Sequence, residues 1–414
     1  MNFLNVKKET LLKLNLLIYS LLPAFAKLME NKILLGTYIF FLIFMIFLYY
    51  PNKNKFKFYL NDIPFLIFFF YIIILTFFSL FVFNTLRIVD LPIALVMDII
   101  PIIGFFYSRI IPVEAFVEAI IFIGIIHGIL GIFMYFYMFY PSFISEIIFK
   151  IIEGTMAFRM SSVSGSLGLA SLMIIAVSYS LGIFLYKRSF KLLMIIFLLS
   201  FVGFMTMQRS FWISFLVLVI LVIFKRNFNI KLILSFFTFS IIFMLLSIVF
   251  IQLFYVYISP EIISFFVERI NSLLYFSSQN AINERSDQWI AGLYNFLSLP
   301  SGLGLGTVGQ SVRYYENLAH NFMPVFDGDY FRILSETGII GFVFYIYLFI
   351  RLFTMFINIS TLKQYKFIVF IAVIGLSINM IGSNTTEFFF NNFLYWMNIG
   401  YLFNKNLTFE GNKT

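Results

Sequence analysis

Long apolar runs separated by short polar gaps recur along the whole chain. The runs are about 17–25 residues long, which is the length at which an α-helix crosses the hydrocarbon core of a bilayer. The pattern predicts an all-α polytopic membrane protein with a single membrane domain over residues 1–414. We place about twelve transmembrane spans at 11–28, 32–50, 63–83, 91–106, 114–139, 167–186, 190–207, 211–224, 232–256, 337–357, 366–382 and 388–404.

Two polar gaps are longer than the others, and we expect function to lie there. The longer one, residues 258–335, separates the ninth span from the tenth. Its beginning, 261–276, has apolar residues at helical spacing and predicts an amphipathic helix on the membrane surface. A second helix is predicted over 284–297, ending before Pro300. The shorter gap covers residues 140–166 after the fifth span.

Lysine and arginine fall into different gaps, and this sorting predicts the orientation. Lysine crowds every second short gap, and short cytoplasmic loops carry the positive excess in membrane proteins. Both termini are therefore predicted to be cytoplasmic, with both long gaps outside. Charged residues make up 11% of the chain and hydrophobic residues 62%, which excludes a soluble globular protein. The net charge of +9 comes mostly from orienting lysines, so it does not indicate nucleic-acid binding.

The opposite set of gaps holds mostly arginine. The planar guanidinium suits bidentate contacts to phosphate or carboxylate. Since the long gap has more carboxylates than arginines, an anion site there must be a local cluster built from several segments. Gln208-Arg209-Ser210 sits between two short spans, where an arginine needs an anionic partner. The outer arginines are Arg87, Arg159, Arg209, Arg269, Arg285, Arg313 and Arg332.

Within the long gap, Gly304, Gly306 and Gly309 formally match a dinucleotide-binding pattern. That interpretation requires a βαβ unit, which the surrounding pattern does not predict. A flexible turn is favoured, and close backbone approach to a phosphate is the alternative. Asp327-Gly-Asp329 has a form that can share a divalent cation, but it is equally a solvated turn.

General-base catalysis offers another use for the polar residues of this gap. A sugar hydroxyl needs a base to become a nucleophile, and Asp327 or His320 is a candidate. Asp98 and His127 are the ionisable residues inside predicted spans. They could mark a proton path, but a buried hydrogen-bonded pair is the favoured interpretation.

The stretch from Asp327 to Gly341 resembles the end of the large periplasmic loop in the O-antigen ligase and Wzy-type O-antigen polymerase superfamily. Glu336, Gly338 and Gly341 match its "E-x-G-x-x-G" entry into the next span. Three more blocks are similar and occur in the same order: Arg159 before Ser161–Gly165, Gln208-Arg209-Ser210, and Arg285 with Trp289 followed by Pro300, Gly304 and Gly306. The resemblance implies a GT-C-type membrane glycosyltransferase. Asp327 stands where ligases have histidine, which favours the polymerase branch, although His320-Asn321 has the ligase dipeptide seven residues earlier.

The resemblance implies a multi-pass inner-membrane enzyme with its active site facing the periplasm. Such polymerases use undecaprenyl-diphosphate-linked oligosaccharide as donor and acceptor, without nucleotide sugar. We expect no metal or cofactor here, because arginines can stabilise the leaving diphosphate. A chain-length regulator and a flippase are expected as further partners. The expected catalytic residues are Asp327, His320, Arg209 and Arg285. The expected substrate-binding residues are Arg159, Arg313, Asp329, Tyr330, Arg332 and Glu336.

Other interpretations remain open. A ligase would transfer glycan to lipid A core instead. A lipid-linked oligosaccharide flippase is a different class, but transporters tend to have internal repeats and charged midplane sites, whereas this chain has one long asymmetric outer gap. A purely structural scaffold would leave the outer arginines without a purpose.

Overall fold

The computed structural model describes residues 3–28, 59–84, 86, 88, 91–137, 159–225, 264, 279–309, 325 and 327–404. Within these ranges the regular elements are all helical. The α-helices are α1 Phe3–Leu28, α2 Ile63–Phe81, α3 Leu91–Tyr107, α4 Val113–Tyr137, α5 Gly165–Tyr186, α6 Phe190–Met205, α7 Arg209–Lys225, α8 Gln279–Ser298, α9 Asp329–Ile357, α10 Gln364–Gly382 and α11 Phe389–Phe403. Three short 3₁₀ helices cover Leu60–Asp62, Ile359–Thr361 and Thr385–Glu387.

The described helices follow the predicted spans closely, and their length and apolar character indicate a multi-pass membrane protein whose described elements are helical. Among the described residues, five helices are long and apolar enough to cross a bilayer: Leu60–Phe81, Val113–Tyr135, Gly165–Tyr186, Asp329–Ile357 and Gln364–Gly382. α3 and α6 are apolar but shorter. The predicted spans 32–50 and 232–256 lie outside the described residues, as does the surface helix predicted over 261–276 apart from residue 264. The total of twelve spans, the outer location of 258–335 and 140–166, and the GT-C-type resemblance therefore stay predictions.

Small residues let the helices of the bundle approach closely. A Cβ atom added to Gly104 of α3 would lie 2.7 Å from the carbonyl oxygen of Phe393 in α11, and one added to Gly400 would lie 2.2 Å from Ser108 Oγ. Small residues at helix crossings are typical of membrane proteins, where packing rather than exclusion from water drives association. Aromatic rings fill the neighbouring space, with Phe68 of α2 stacked on Phe344 of α9 at 4.2 Å between centroids.

The directions of the helices define two opposite ends of the bundle. α7 and α10 are antiparallel. Near the start of α7, Ser214 Oγ donates to Gly375 O in the second half of α10 (2.9 Å), and Lys225 at the end of α7 contacts the loop before α10. α11 runs alongside α5, with Asn391 Nδ2 donating to Gly168 O at 3.1 Å. We call the end at which α5, α7, α9 and α11 begin the site end, and the other the lysine end.

The lysine end is held together by ionic and capping contacts. Lys225 Nζ donates to the carbonyl oxygens of Ile359 (3.1 Å), Ser360 (2.8 Å) and Leu362 (2.5 Å). Arg109 Nη2, just beyond α3, lies 2.7 Å from Asp62 Oδ1, and both side chains are buried. These contacts join α7 to the loop between α9 and α10, and the end of α3 to the segment before α2, so the lysine end has a structural role in addition to the orienting role predicted for its charges.

Candidate functional site

The site end begins with a break in α9. Gly338 has φ 59° and ψ −154° inside the helix, a conformation that is essentially restricted to glycine. Ile339 N donates to Pro300 O at 3.0 Å across the break. A Cβ at Gly338 would lie 2.2 Å from that same carbonyl oxygen. The break separates a polar first part, 329–337, from the apolar remainder, which explains why the hydrophobic pattern predicted a span starting only at 337.

The glycine-containing segment 300–309, which we call the strap, lies along this first part of α9. Leu303 N donates to Ser335 O (3.1 Å) and Gly304 N to Glu336 O (2.9 Å). On the other side, Ser79 Oγ of α2 donates to Leu303 O at 2.7 Å. The strap contains turns, as the favoured prediction had it, and it is held on both sides by hydrogen bonds. Close backbone approach does occur, but to α9 of the same chain.

The first part of α9 carries a buried ionic cluster. Arg332 donates through Nε and Nη2 to Asp329 Oδ1, at 3.0 and 2.8 Å. It also donates through Nη1 to Glu336 Oε2 and through Nη2 to Thr386 Oγ1. Asp329 and Glu336 are completely buried, and Arg332 is 2% exposed. The structure thus brings three predicted substrate-binding residues together, but their polar groups contact one another.

The loop between α10 and α11 completes this cluster from the other side. Thr386 N donates to Asp329 Oδ2 at 2.8 Å, and Asn384 Nδ2 donates to Glu387 Oε2 at 3.0 Å. A Cβ at Gly309 of the strap would lie 1.6 Å from Glu387 Oε1 and 2.5 Å from Arg332 Cδ, so the strap passes directly over both side chains. With three carboxyl groups around one guanidinium, the cluster has no surplus positive charge to offer a phosphate.

Asp327 stands just outside the ionic cluster. Its backbone N–H donates to Gln288 Oε1 of α8 at 2.6 Å, and its side chain is partly exposed. Trp289 of α8 stacks on Phe331 with centroids 5.3 Å apart. Asp327 and Asp329 therefore have different surroundings, since the carboxylate of Asp329 is engaged by Arg332 and Thr386. This does not favour a shared cation at the two aspartates.

Three expected site residues cannot be placed by their side chains. His320 and Arg313 lie outside the described residues. Arg285 lies on α8 one turn before Trp289, but its side chain is also outside the described part of the structure.

Tyr330, expected to contact sugar, donates its hydroxyl to Ser377 O of α10 at 2.6 Å. The roles of these four residues stay predictions.

A second polar group, the arginine turn, comprises residues 159–160 and 205–210. Met160 N donates to Met205 O at 2.9 Å, which joins the segment of Arg159 to the turn before Arg209. Met207 has a φ of 56°, and strained backbone of this kind concentrates at functional sites. The arginine turn therefore combines segments that the sequence placed far apart.

The arginine turn contains buried donors that lack an acceptor. Gln208 Nε2 and Ser210 Oγ are buried and have no hydrogen-bond partner among the described residues. A buried polar group without a partner costs free energy, and a site that binds an acceptor group recovers it. Together with Arg159 and Arg209, both partly buried, these donors favour an anionic oxygen-rich ligand.

Buried amides and hydroxyls join α5 and α10 to the loop that carries Thr386, and sequence reasoning missed them. Asn379 Nδ2 of α10 donates to Ser171 Oγ of α5 (2.9 Å) and to Thr385 Oγ1 (2.8 Å). Thr385 is next to Thr386 of the ionic cluster, and α5 begins shortly after Arg159. One signal was present: the five consecutive polar residues 383–387 between the last two spans, on the side where the arginines were predicted to lie.

Asp98 and His127 do not form the predicted buried pair with each other. Asp98 Oδ2 accepts a hydrogen bond from Thr76 Oγ1 at 2.6 Å. His127 lies 3.0 Å from Ser162 Oγ through Nδ1 and 2.9 Å from Ser20 Oγ through Nε2. Both residues bond to hydroxyl groups instead, so the pairing prediction is wrong.

Comparison with known proteins confirms the resemblance. A model of the O-antigen ligase family matches residues 193–346, consistent with the O-antigen ligase and polymerase superfamily. The matched region runs from α6 through residues 205–210 of the arginine turn and the strap into α9. It leaves Arg159 and the loop 383–387 outside. A comparison with curated proteins gives no match. The family and the helical architecture together indicate a membrane enzyme similar to glycosyltransferases.

Proposed function

We propose that the protein polymerises undecaprenyl-diphosphate-linked oligosaccharide repeat units at the periplasmic face of the bacterial inner membrane. In this reaction the growing glycan moves from its lipid diphosphate to a hydroxyl of a new lipid-linked repeat unit. The observation that carries the proposal is the arginine turn, where a main-chain hydrogen bond joins the segments of Arg159 and Arg209 and where Gln208 Nε2 and Ser210 Oγ are buried without a partner among the described residues. A diphosphate supplies the acceptor oxygens that such donors need.

The arginine turn would bind the leaving group. As the bond between the anomeric carbon and the diphosphate oxygen breaks, its electron pair passes to that oxygen. Preorganised cations and hydrogen-bond donors stabilise this charge, and the loss of one such donor typically lowers the rate about 10²–10³-fold. Arg159 and Arg209 provide bidentate forks, and we assign Arg285 to the same anion on the strength of the family resemblance.

The acceptor hydroxyl would be activated by Asp327, with His320 as the alternative base. Asp327 is partly exposed, while Asp329 and Glu336 are buried against Arg332, so Asp327 is the better placed of these three carboxylates. The base takes the hydroxyl proton as the oxygen attacks the anomeric carbon. We expect Arg332, Asp329 and Glu336 to hold Asp327 and the strap in position rather than to contact substrate. Arg313 and Tyr330 remain candidates for the second substrate.

A reconstitution assay tests the reaction class. Purified protein in proteoliposomes would be given a synthetic lipid-linked repeat unit, and the products separated by size. A ladder of polymers supports the proposal. A single transfer that occurs only when lipid A core is supplied identifies a ligase, and translocation of lipid without new glycosidic bonds identifies a flippase; either result would overturn the polymerase assignment.

A further inference from the structure

His127 forms the centre of a buried hydrogen-bond chain that crosses three segments. The residue is completely buried in α4. Its Nε2 lies 2.9 Å from Ser20 Oγ of α1, and its Nδ1 lies 3.0 Å from Ser162 Oγ, in the segment before α5. Ser162 Oγ also lies 3.2 Å from Ser164 Oγ. The imidazole therefore links two helices to a segment without regular helical structure.

The hydroxyl of Ser20 determines the tautomer of this imidazole. Ser20 Oγ donates to Leu17 O at 2.7 Å, which uses its only hydrogen. Its contact with His127 must then be one in which Nε2–H donates to Ser20. In a neutral imidazole the other nitrogen is an acceptor, so Nδ1 accepts from the Ser162 hydroxyl. Every polar atom along the chain from Ser20 to Ser162 has a compatible partner.

The segment that His127 holds is the one that carries Arg159. Between Arg159 and the start of α5, this segment is attached on one side by Met160 N donating to Met205 O at 2.9 Å. On the other side it is attached by the contact of Ser162 with His127. The position of Ser162 thus restricts the backbone three residues after Arg159, at the point where Arg159 joins the arginine turn.

We propose that His127 is a positioning residue for the diphosphate site: through Ser162, it fixes the segment of Arg159, which a main-chain hydrogen bond joins to the turn before Arg209. This inference rests on the proposed role of Arg159 in binding the lipid diphosphate. His127 itself touches no substrate. Displacement of a binding group by about 1 Å can lower activity 10²-fold, so losing this one hydrogen bond is expected to weaken the site measurably.

Binding of undecaprenyl diphosphate to the full-length protein in detergent micelles tests the proposal. Ser162→Ala removes the donor to Nδ1 and is expected to lower affinity about tenfold or more, whereas Ser162→Thr keeps the hydroxyl and restores affinity. His127→Leu should resemble Ser162→Ala. The matched control is Ser178→Ala in α5. Among the described residues, the buried Ser178 hydroxyl donates to Ile174 O of its own helix (2.6 Å), so this variant should bind with wild-type affinity.

Double variants separate positioning from a general loss of structure. If Ser162 acts through Arg159, then Arg159→Ala combined with Ser162→Ala binds no more weakly than Arg159→Ala alone, since coupled residues are non-additive. If the double variant loses affinity by the product of the two single losses, or if Ser162→Ala binds with wild-type affinity, the proposed role of His127 is overturned. Wild-type affinity of Arg159→Ala would instead overturn the diphosphate role of Arg159 in the proposed function. Thermal unfolding of each variant identifies any that do not fold. If Ser162→Ala is one of them, restored affinity in Ser162→Thr supports the proposal, and lost affinity in a folded Ser162→Thr contradicts it.

Discussion

Among glycine-to-alanine substitutions in the described part of the chain, Gly338→Ala should be one of those that lower the free energy of unfolding most. Gly338 has φ 59° and ψ −154°, where an L-residue costs about 1–3 kcal/mol. The added Cβ would also lie 2.2 Å from Pro300 O, 2.5 Å from Ser301 C and 2.6 Å from Gly302 N. All three atoms are backbone, so no side chain can rotate away to make room.

The strap must then move, and the hydrogen bonds that hold it define the additional cost. Ile339 N to Pro300 O, Leu303 N to Ser335 O and Gly304 N to Glu336 O, at 3.0, 3.1 and 2.9 Å, would be lost or stretched. Each contributes about 1 kcal/mol net. Added to the backbone strain, the expected loss in the free energy of unfolding is about 4–6 kcal/mol.

Unfolding in mixed detergent micelles, followed by circular dichroism against denaturant concentration, measures this loss. The matched control is Gly128→Ala in α4, where the one described atom within 4 Å of the new Cβ outside the helix backbone is Val202 Cγ2, at 3.4 Å. Since alanine favours a helix interior by about 0.5–1 kcal/mol over glycine, this control should be neutral or slightly stabilising. If Gly338→Ala unfolded within about 1 kcal/mol of the wild type, the close contact between the strap and α9 would be refuted.

Three further predictions concern the chemistry and the opposite end of the bundle. Arg209→Ala and Arg285→Ala should abolish polymer in the reconstituted assay while expression is retained, and the lysine variants should also be impaired because an ammonium cannot reproduce the guanidinium fork; normal polymer length in both alanine variants would exclude a diphosphate clamp. Asp327→Asn and His320→Ala should differ in the rate of polymer formation, with the larger loss identifying the base, and full activity of both would show that neither is. Lys225→Met should lower the free energy of unfolding by about 2 kcal/mol, because three carbonyl groups lose a charged donor. The same variant should keep the wild-type KM for the lipid substrate, which steady-state kinetics of the same preparation would check.

The helices could be predicted from the sequence because apolar length alone specifies a membrane span. The start of α9 could not, because a polar helix followed by a break at Gly338 looks like the end of a loop in a hydrophobicity pattern. The break depends on Pro300 and Ser301 of the strap, which are distant in sequence.

The candidate site was predicted in part. The meeting of the Arg159 and Arg209 segments was expected from the family resemblance, and a main-chain hydrogen bond joins them. The ion pairs of Arg332 with Asp329 and Glu336 were not predicted, although both carboxylates stand at helical spacing from it. Thr386 could not have been assigned from the sequence, because nothing local indicates which arginine a loop threonine will contact.

The ionic cluster has a consequence for the order in which the protein is made. Arg332 finds Asp329 three residues before it and Glu336 four residues after it, so these charges can neutralise one another as soon as α9 emerges and folds. Thr386 follows 54 residues later, after α10 has been synthesised. The cluster is therefore completed only when the loop before α11 reaches it. A chain that stops before this loop would carry an inserted α9 with its own ion pairs but an unfinished site, so activity becomes possible only near the end of synthesis.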